Sequence, residues 1–277
     1  MRINGFVLHG AVTVAVLASG VGAVVAGSGS GGGGVTLAGP QVLRLIQNAP
    51  AALSSYPAVK MSFKISVSGQ GRHLSSSTHG VISPDGKRGT FVTSLPNGLG
   101  NLTVEAINKT MYVHASPRAA ASLGKQWVGL TLTTPSGWAP NQPSVGTDGL
   151  GFVHLMPGAT GEVKNLGTAR IEGVRTTHYR VTIDLQKAAA AEPPEMRTGS
   201  VSQLQAAGVT TEPFDVWLDH EGAPRQMSFG FDVQSVRLDF QLRLSGSTQP
   251  LELTAPPASD VYFVTRSAEL FQDALQR

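Results

Sequence analysis

GVRTTHYRVTIDL, residues Gly173–Leu185, opens on a turn glycine and continues as a run rich in β-branched and aromatic side chains. Successive side chains of a strand point to opposite faces. Thr177, Tyr179, Val181, Ile183 and Leu185 therefore share one face, and His178, Arg180, Thr182 and Asp184 share the other. One apolar and one polar face is the pattern of an antiparallel strand, since parallel sheets are usually covered on both sides. What lies against the apolar face is the functional question: a filled core, or a cavity for an apolar ligand.

The same alternation recurs on either side of this stretch. Within Lys60–Gly69, Met61, Phe63, Ile65 and Val67 alternate with Lys60, Ser62, Lys64 and Ser66. The segments His73–Ser83 and Lys87–Leu95 flank Pro84-Asp85-Gly86, and Leu102–Ile107 and Met111–Ala115 flank Asn108-Lys109-Thr110, both hairpin signals. Farther on, Phe214–His220 and Gln226–Val233 bracket Glu221-Gly222-Ala223-Pro224, and Val236–Leu244 alternates again. Roughly eight or nine strands joined by short turns make an antiparallel meander rather than βαβ units. The fold class expected is α+β: a single large antiparallel sheet, curved by its twist, with helices across one face.

Helical spacing appears at Val42, Leu43, Ile46, Ala49 and Leu53, which predicts a helix over Pro40–Tyr56 with a kink or stop at Pro50. Short helices are predicted at Ala188–Ala191 and Ser200–Ala207, either side of Pro193-Pro194, and a docked terminal helix over Ser267–Gln276. The stretch Pro117–Gly158 is rich in Pro and Gly yet carries Trp127, Leu130, Trp138, Phe152 and Leu155. A long loop with that apolar content is expected to pack on the sheet as a lid or binding loop.

The N-terminus suggests export. Residues 1–26 contain the apolar run Phe6–Ala26, long enough for a bilayer-spanning helix of ~20 residues and equally suited to a signal peptide. Cleavage near Ala26 and retention as an uncleaved anchor in the cytoplasmic membrane are both open. Ser28 stands where a bacterial lipoprotein would carry its lipidated cysteine, and a serine hydroxyl does not replace a thiolate, so lipidation is not expected. Residues 27–38 form a Gly/Ser-rich linker, residues 39–262 the folded domain, and residues 263–277 a helical tail.

Composition narrows the chemistry. The 277 residues are 41% hydrophobic and 14% charged, with a formal net charge of +3. Lys and Arg are scattered singly, without the stripe that nucleic-acid binding requires, so no nucleic-acid partner is expected. The absence of cysteine excludes disulfides, thiolate zinc sites and a cysteine nucleophile. Ser122-Leu-Gly-Lys125 matches the Ser-x-x-Lys pattern of penicillin-recognising enzymes but lacks the accompanying motifs. None of His73, His79, His114, His154, His178 and His220 has metal-ligand spacing, so neither a metal nor a cofactor is expected. His178 and Arg180 belong to the polar face, with Asp219 or Asp239 as expected cross-strand partners of His178.

A strongly twisted sheet of many strands curls, and the helices available to fill its concave side are few, which favours a cavity. Its expected lining is Phe63, Ile65, Val67, Val104, Tyr179, Val181, Ile183, Val216, Leu218, Phe229, Phe231, Leu238 and Phe240 from strands. Trp127, Trp138, Phe152 and Leu155 of the central loop would line or cover it. The same residues in a filled core would instead make a membrane-tethered interaction or sensor module.

Four strings carry a family resemblance: Gly161-Glu162-Val163, IEGVRTTHYRVTIDL (Ile171–Leu185), PFDVWLDHEGAPRQM (Pro213–Met227) and LTAPPASDV (Leu253–Val261). They resemble actinobacterial LppX/LprG-type lipoproteins, relatives of the periplasmic carrier LolA. The resemblance implies a half-barrel sheet with helices over its open side. It also implies a non-enzymatic protein that holds lipid or glycolipid acyl chains and moves them through the cell envelope; a monomer is expected. Residues 42–261 fall under this likeness, which is strongest from Gly161 onward.

Overall fold

The computed structural model describes residues 36–69, 71–95, 100–131, 149–191, 208–233, 236–265 and 267–276. The first half of the chain forms β1 (Thr36–Ala38), α1 (Pro40–Gln47), α2 (Ala49–Leu53), β2 (Ala58–Gly69) and β3 (Arg72–Ile82). It continues with β4 (Arg88–Ser94), β5 (Asn101–Ile107), β6 (Thr110–His114), α3 (Pro117–Leu123) and β7 (Trp127–Thr131). The second half contains α4 (Gly149–Val153), a 3-10 turn at Met156–Gly158, β8 (Ala159–Ile171), β9 (Val174–Asp184) and α5 (Leu185–Ala191). The chain then forms β10 (Thr211–Leu218), β11 (Pro224–Val233), β12 (Val236–Ser247), β13 (Val261–Val264) and α6 (Ser267–Gln276).

All the strands join one unclosed, curved 13-stranded sheet, in the order β1-β8-β9-β10-β11-β12-β2-β3-β4-β5-β6-β7-β13. The expected antiparallel meander is present as two runs, β8 to β12 and β2 to β7, joined at the centre by antiparallel pairing of β12 with β2. At one edge it needs correction, because β13 pairs with β7 in parallel. The β13 strand also crosses residue 262, so the expected break between domain and tail falls inside one sheet.

The opening stretch is β9, and Asp184 ends it by accepting from the backbone N–H groups of Gln186 and Lys187 to start α5. Its hairpin partner is β8, joined through Glu172 and Gly173 at φ 49° and 83°. Two consecutive positive φ values give the tight turn whose twist suits a hairpin. The predicted helix over Pro40–Tyr56 divides at Asn48, and Pro50 falls in the first turn of α2, where its missing N–H costs nothing. The expected loop Pro117–Gly158 instead contains α3, β7 and α4, while Ser200–Ala207 lies outside the described residues.

Strand register carries one apolar face across the sheet. Val181 pairs with Phe214, Phe229 with Phe240, and Phe240 with Ile65. Farther along, Phe91 pairs with Val104, Val104 with Val113 and Val113 with Val128. Over the larger part of this face Ile46 of α1, Leu53 of α2, Phe152 of α4 and Leu185 of α5 complete a single core. Over β5, β6 and β7 the cover is α6, through Leu270 and Ala274. The predicted docking of the terminal helix thus acquires a location. No helix among the described residues is long and apolar enough to cross a membrane, and Phe6–Ala26 lies outside them.

Candidate functional site

The deepest part of the concave face is aromatic. Phe229 of β11 stacks on Phe240 of β12 at 4.8 Å and on Phe214 of β10 at 4.2 Å. Phe231 reaches Phe240 at 5.6 Å, and Phe63 of β2 lies 6.2 Å from Phe240. Into this seat α4 inserts Phe152, whose ring lies 4.9 Å from Phe229, 5.4 Å from Phe63 and 5.5 Å from Phe240. Phe152 retains only 9% of its exposure. Aromatic pairs at these separations add about 0.5–1.5 kcal/mol each beyond area burial, so the stacked phenylalanines hold this part of the face together.

Towards the β2–β3 and β11–β12 turns the cover thins: Ile65, Val67 and Phe240 are half-buried and Leu74 is 38% exposed. Glu212 sits at this rim, opposite Ile183 in the β9–β10 register. Burial pushes its carboxyl up to about 7, with Arg237 pulling it down and Asp232 pushing it up. A carboxyl that sheds its charge near neutrality marks an apolar surrounding.

The other end of the sheet is locked. Arg225 donates to the buried carboxylate of Asp219 at 2.7 Å and to the Tyr56 hydroxyl at 3.0 Å. Asp219 also accepts from the backbone of Glu221 and Ala223, closing the β10–β11 turn. Tyr56 lies on Gly246, where a Cβ would come within 2.1 Å of its ring. Beside this lock an open cleft of about 840 Å³ runs between α2, the β3–β4 turn and His154.

No protein-family model matches the chain. A curated Streptomyces griseus relative, an uncharacterised 31.2 kDa protein, is 38% identical over 64 residues. That match spans 22% of this chain and only 21% of the relative's length. Among solved structures, Mycobacterium tuberculosis lipoprotein LppX superposes with a TM-score of 0.50 at 17% identity, covering 78% of this chain and 100% of LppX. The chain has the LppX fold. LprF from Mycobacterium bovis superposes with a TM-score of 0.48 at 16% identity, over 80% of this chain and 99% of LprF.

On this LppX-type sheet the sequence-predicted lining residues separate into groups. Phe63, Ile65, Val67, Tyr179, Val181, Ile183, Val216 and Leu218 belong to or pack on the larger core. So do Phe229, Phe231, Leu238, Phe240, Phe152 and Leu155. Val104 shares the face but belongs to the separate cluster under α6. Trp127 corrects the expectation: it faces away from Val128 and Leu130 on β7, and meets His114 edge-on at 5.0 Å on the outer surface. Trp138 lies outside the described residues.

The residues considered for chemistry are otherwise engaged. His178 Nε2 lies 2.9 Å from Asp215 Oδ1, and Arg180 grips the same carboxylate at 3.0 and 2.8 Å. The partner of His178 is thus Asp215, one strand over, rather than Asp219 or Asp239. The His178 ring stacks on Trp217 at 4.0 Å. Burial pushes the Asp215 carboxyl up, but the His178 and Arg180 hydrogen bonds outweigh it and hold the group below the usual carboxylate range. Lys125 donates to the carbonyl of Ser259, and Ser122 is exposed on α3. Among the described residues no group of His, Asp and Glu could hold a metal.

Proposed function

We propose that the protein is an exported, non-enzymatic carrier that holds the acyl chains of a lipid or glycolipid against the concave face of its sheet. The observation that carries this reading is the Phe63–Phe229–Phe240 seat closed by a side chain from a helix of five residues. So short a helix is unstable alone, and Gly149 and Gly151 each weaken it by about 1 kcal/mol relative to alanine. Withdrawing a buried phenylalanine costs about 3–5 kcal/mol. Burying about ten acyl methylenes contributes ~8 kcal/mol at ~0.8 kcal/mol each, which offsets the withdrawal of Phe152 before the cost of association is counted. The Phe6–Ala26 run supports delivery across the cytoplasmic membrane, and Ser28 argues against attachment by acylation.

Titration of the purified monomer with a fluorescent fatty acid tests the carrier. Saturable micromolar binding is expected, and linear, non-saturating partition would remove the reading. The filled centre also fits a second reading, an extracytoplasmic interaction or sensor module whose concave face is permanent core. That module would bind no acyl probe.

A further inference from the structure

Alternation sets one carboxyl of β10 among apolar side chains of the concave face. Phe214, Val216 and Leu218 of this strand are buried in the larger core, and Thr211 and Pro213 are exposed. Glu212, half-buried, therefore stands on the core side. Its register partner on β9 is Ile183, which is fully buried. Along β10 it is one strand repeat, about 7 Å, from Phe214, which stacks on Phe229 of the aromatic seat. Glu212 makes no hydrogen bond or ion pair among the described residues. Arg237 and Asp232 of the β11–β12 hairpin act on it only through their charge. Arg237 is already held by Asp232 at 3.2 Å and by Asp239 at 3.0 Å.

The sheet opens beside this carboxyl. β10 pairs with β9 as far as Thr211, but with β11 only over Asp215–Leu218. β11 itself runs on to Val233 with β12 as its partner. Glu212 thus has a paired strand on one side and none on the other. We propose that Glu212 binds a hydroxyl of the lipid headgroup while the acyl chain fills the seat under Phe152, so that the carrier sorts hydroxyl-bearing lipids from hydroxyl-free ones. The inference rests on the lipid-carrier reading and specifies the polar end of its ligand. A carboxyl taken from water needs a replacement partner, and Ile183, Phe214 and Val216 on its own face offer none. With its proton lost at about 7, both forms of Glu212 are present near neutrality, and both accept from a hydroxyl. An anionic headgroup would be repelled by the charged form. A lipid without a donor leaves the acceptor unpaired, which is how hydrogen-bonding sites reject analogues lacking the group.

The test titrates the full chain, Glu212→Gln and Glu212→Leu with three probes that carry one fluorescent acyl chain: a monoacylglycerol, an acylglucose and the hydroxyl-free methyl ester. Solubility differences between probes cancel when the hydroxyl-to-ester affinity ratio is compared between proteins. For at least one hydroxyl probe that ratio should fall about tenfold in Glu212→Leu, through weaker binding of the hydroxyl probe. Glu212→Gln keeps the side chain's shape and one acceptor, guards against a fold defect, and should show a smaller fall of about threefold. The probe whose ratio falls further names the source of the hydroxyl, glycerol or sugar. Unchanged ratios for both hydroxyl probes in Glu212→Leu would overturn the assignment while leaving the carrier intact. So would a fall produced solely by tighter ester binding, which reports added apolar surface. If no probe binds the unaltered protein, the carrier reading fails and this inference with it.

Discussion

The Phe152 ring packs 4.9 Å from that of Phe229, so a helix side chain, and not a strand, closes the deepest point of the concave sheet. A ligand in this seat would have to displace that ring. This gives two opposite expectations for one substitution. Phe152→Ala should lower the stability of the lipid-free protein by about 3–5 kcal/mol through the cavity it leaves. The same change should tighten acyl-probe binding by about tenfold, because the competing ring is gone. Denaturation and probe titration of the same preparation measure both, and a permanent core would show only the loss.

Gly246 carries the Tyr56 ring, whose hydroxyl accepts from Arg225. Gly246→Ala puts a methyl into that ring and should cost about 1–3 kcal/mol from overpacking, more than the ~0.4–1 kcal/mol gained by restricting the unfolded chain. Thermal unfolding should show a Tm lowered by several degrees. Tyr56→Ala combined with Gly246→Ala should add little further loss, since the clash is then absent.

Much of this architecture is legible in the chain itself. Alternation in Lys60–Gly69 and in Val174–Asp184 reports strands with one buried face; the first stands at the centre of the sheet and the second two strands in from its β1 edge. The β8 strand escapes notice because it lies near an edge, fully buries only Ala159 and Val163, and shifts register twice around Gly161 and Gly167. The β7 strand is masked by its Pro- and Gly-rich surroundings, and Gly129 within it leaves room for Val261 and Phe263. Parallel pairing of β13 with β7 joins segments remote in sequence, and no local periodicity encodes it. Trp127 looks like a cavity residue in a loop reading; only its strand assignment turns it outward.

Glu212 gives a pH signature. Its carboxyl rises from the ordinary 4.5 to about 7 on folding, so the folded state binds the proton more tightly than the unfolded chain. Its contribution is therefore fully present below about pH 4.5 and is lost as pH climbs through about 7. Glu212→Gln should be more stable than the parent at pH 8, with the difference shrinking towards pH 5. Parallel Tm-versus-pH curves would contradict the placement of Glu212 in an apolar rim.

Asp215 should behave in the opposite sense. Its carboxyl is depressed below the ordinary 3.8, so its stabilisation is present above that value and disappears as pH falls through the folded one. Asp215→Asn should cost about 1–2 kcal/mol at neutral pH by weakening the His178 and Arg180 hydrogen bonds. The gap should narrow in acid, as chemical denaturation at pH 7 and pH 3 would record. Acyl-probe binding should not change, because this cluster lies on the outer face.

The central claim is that the seat under Phe152 is a ligand site. Native mass spectrometry of the protein purified from an envelope fraction, followed by organic extraction, addresses it most directly. The carrier reading predicts a bound mass that is released into the organic phase as an acyl lipid, in a ratio near one per chain. A protein that flies at its bare mass, yields no lipid on extraction and takes up none when offered would contradict it.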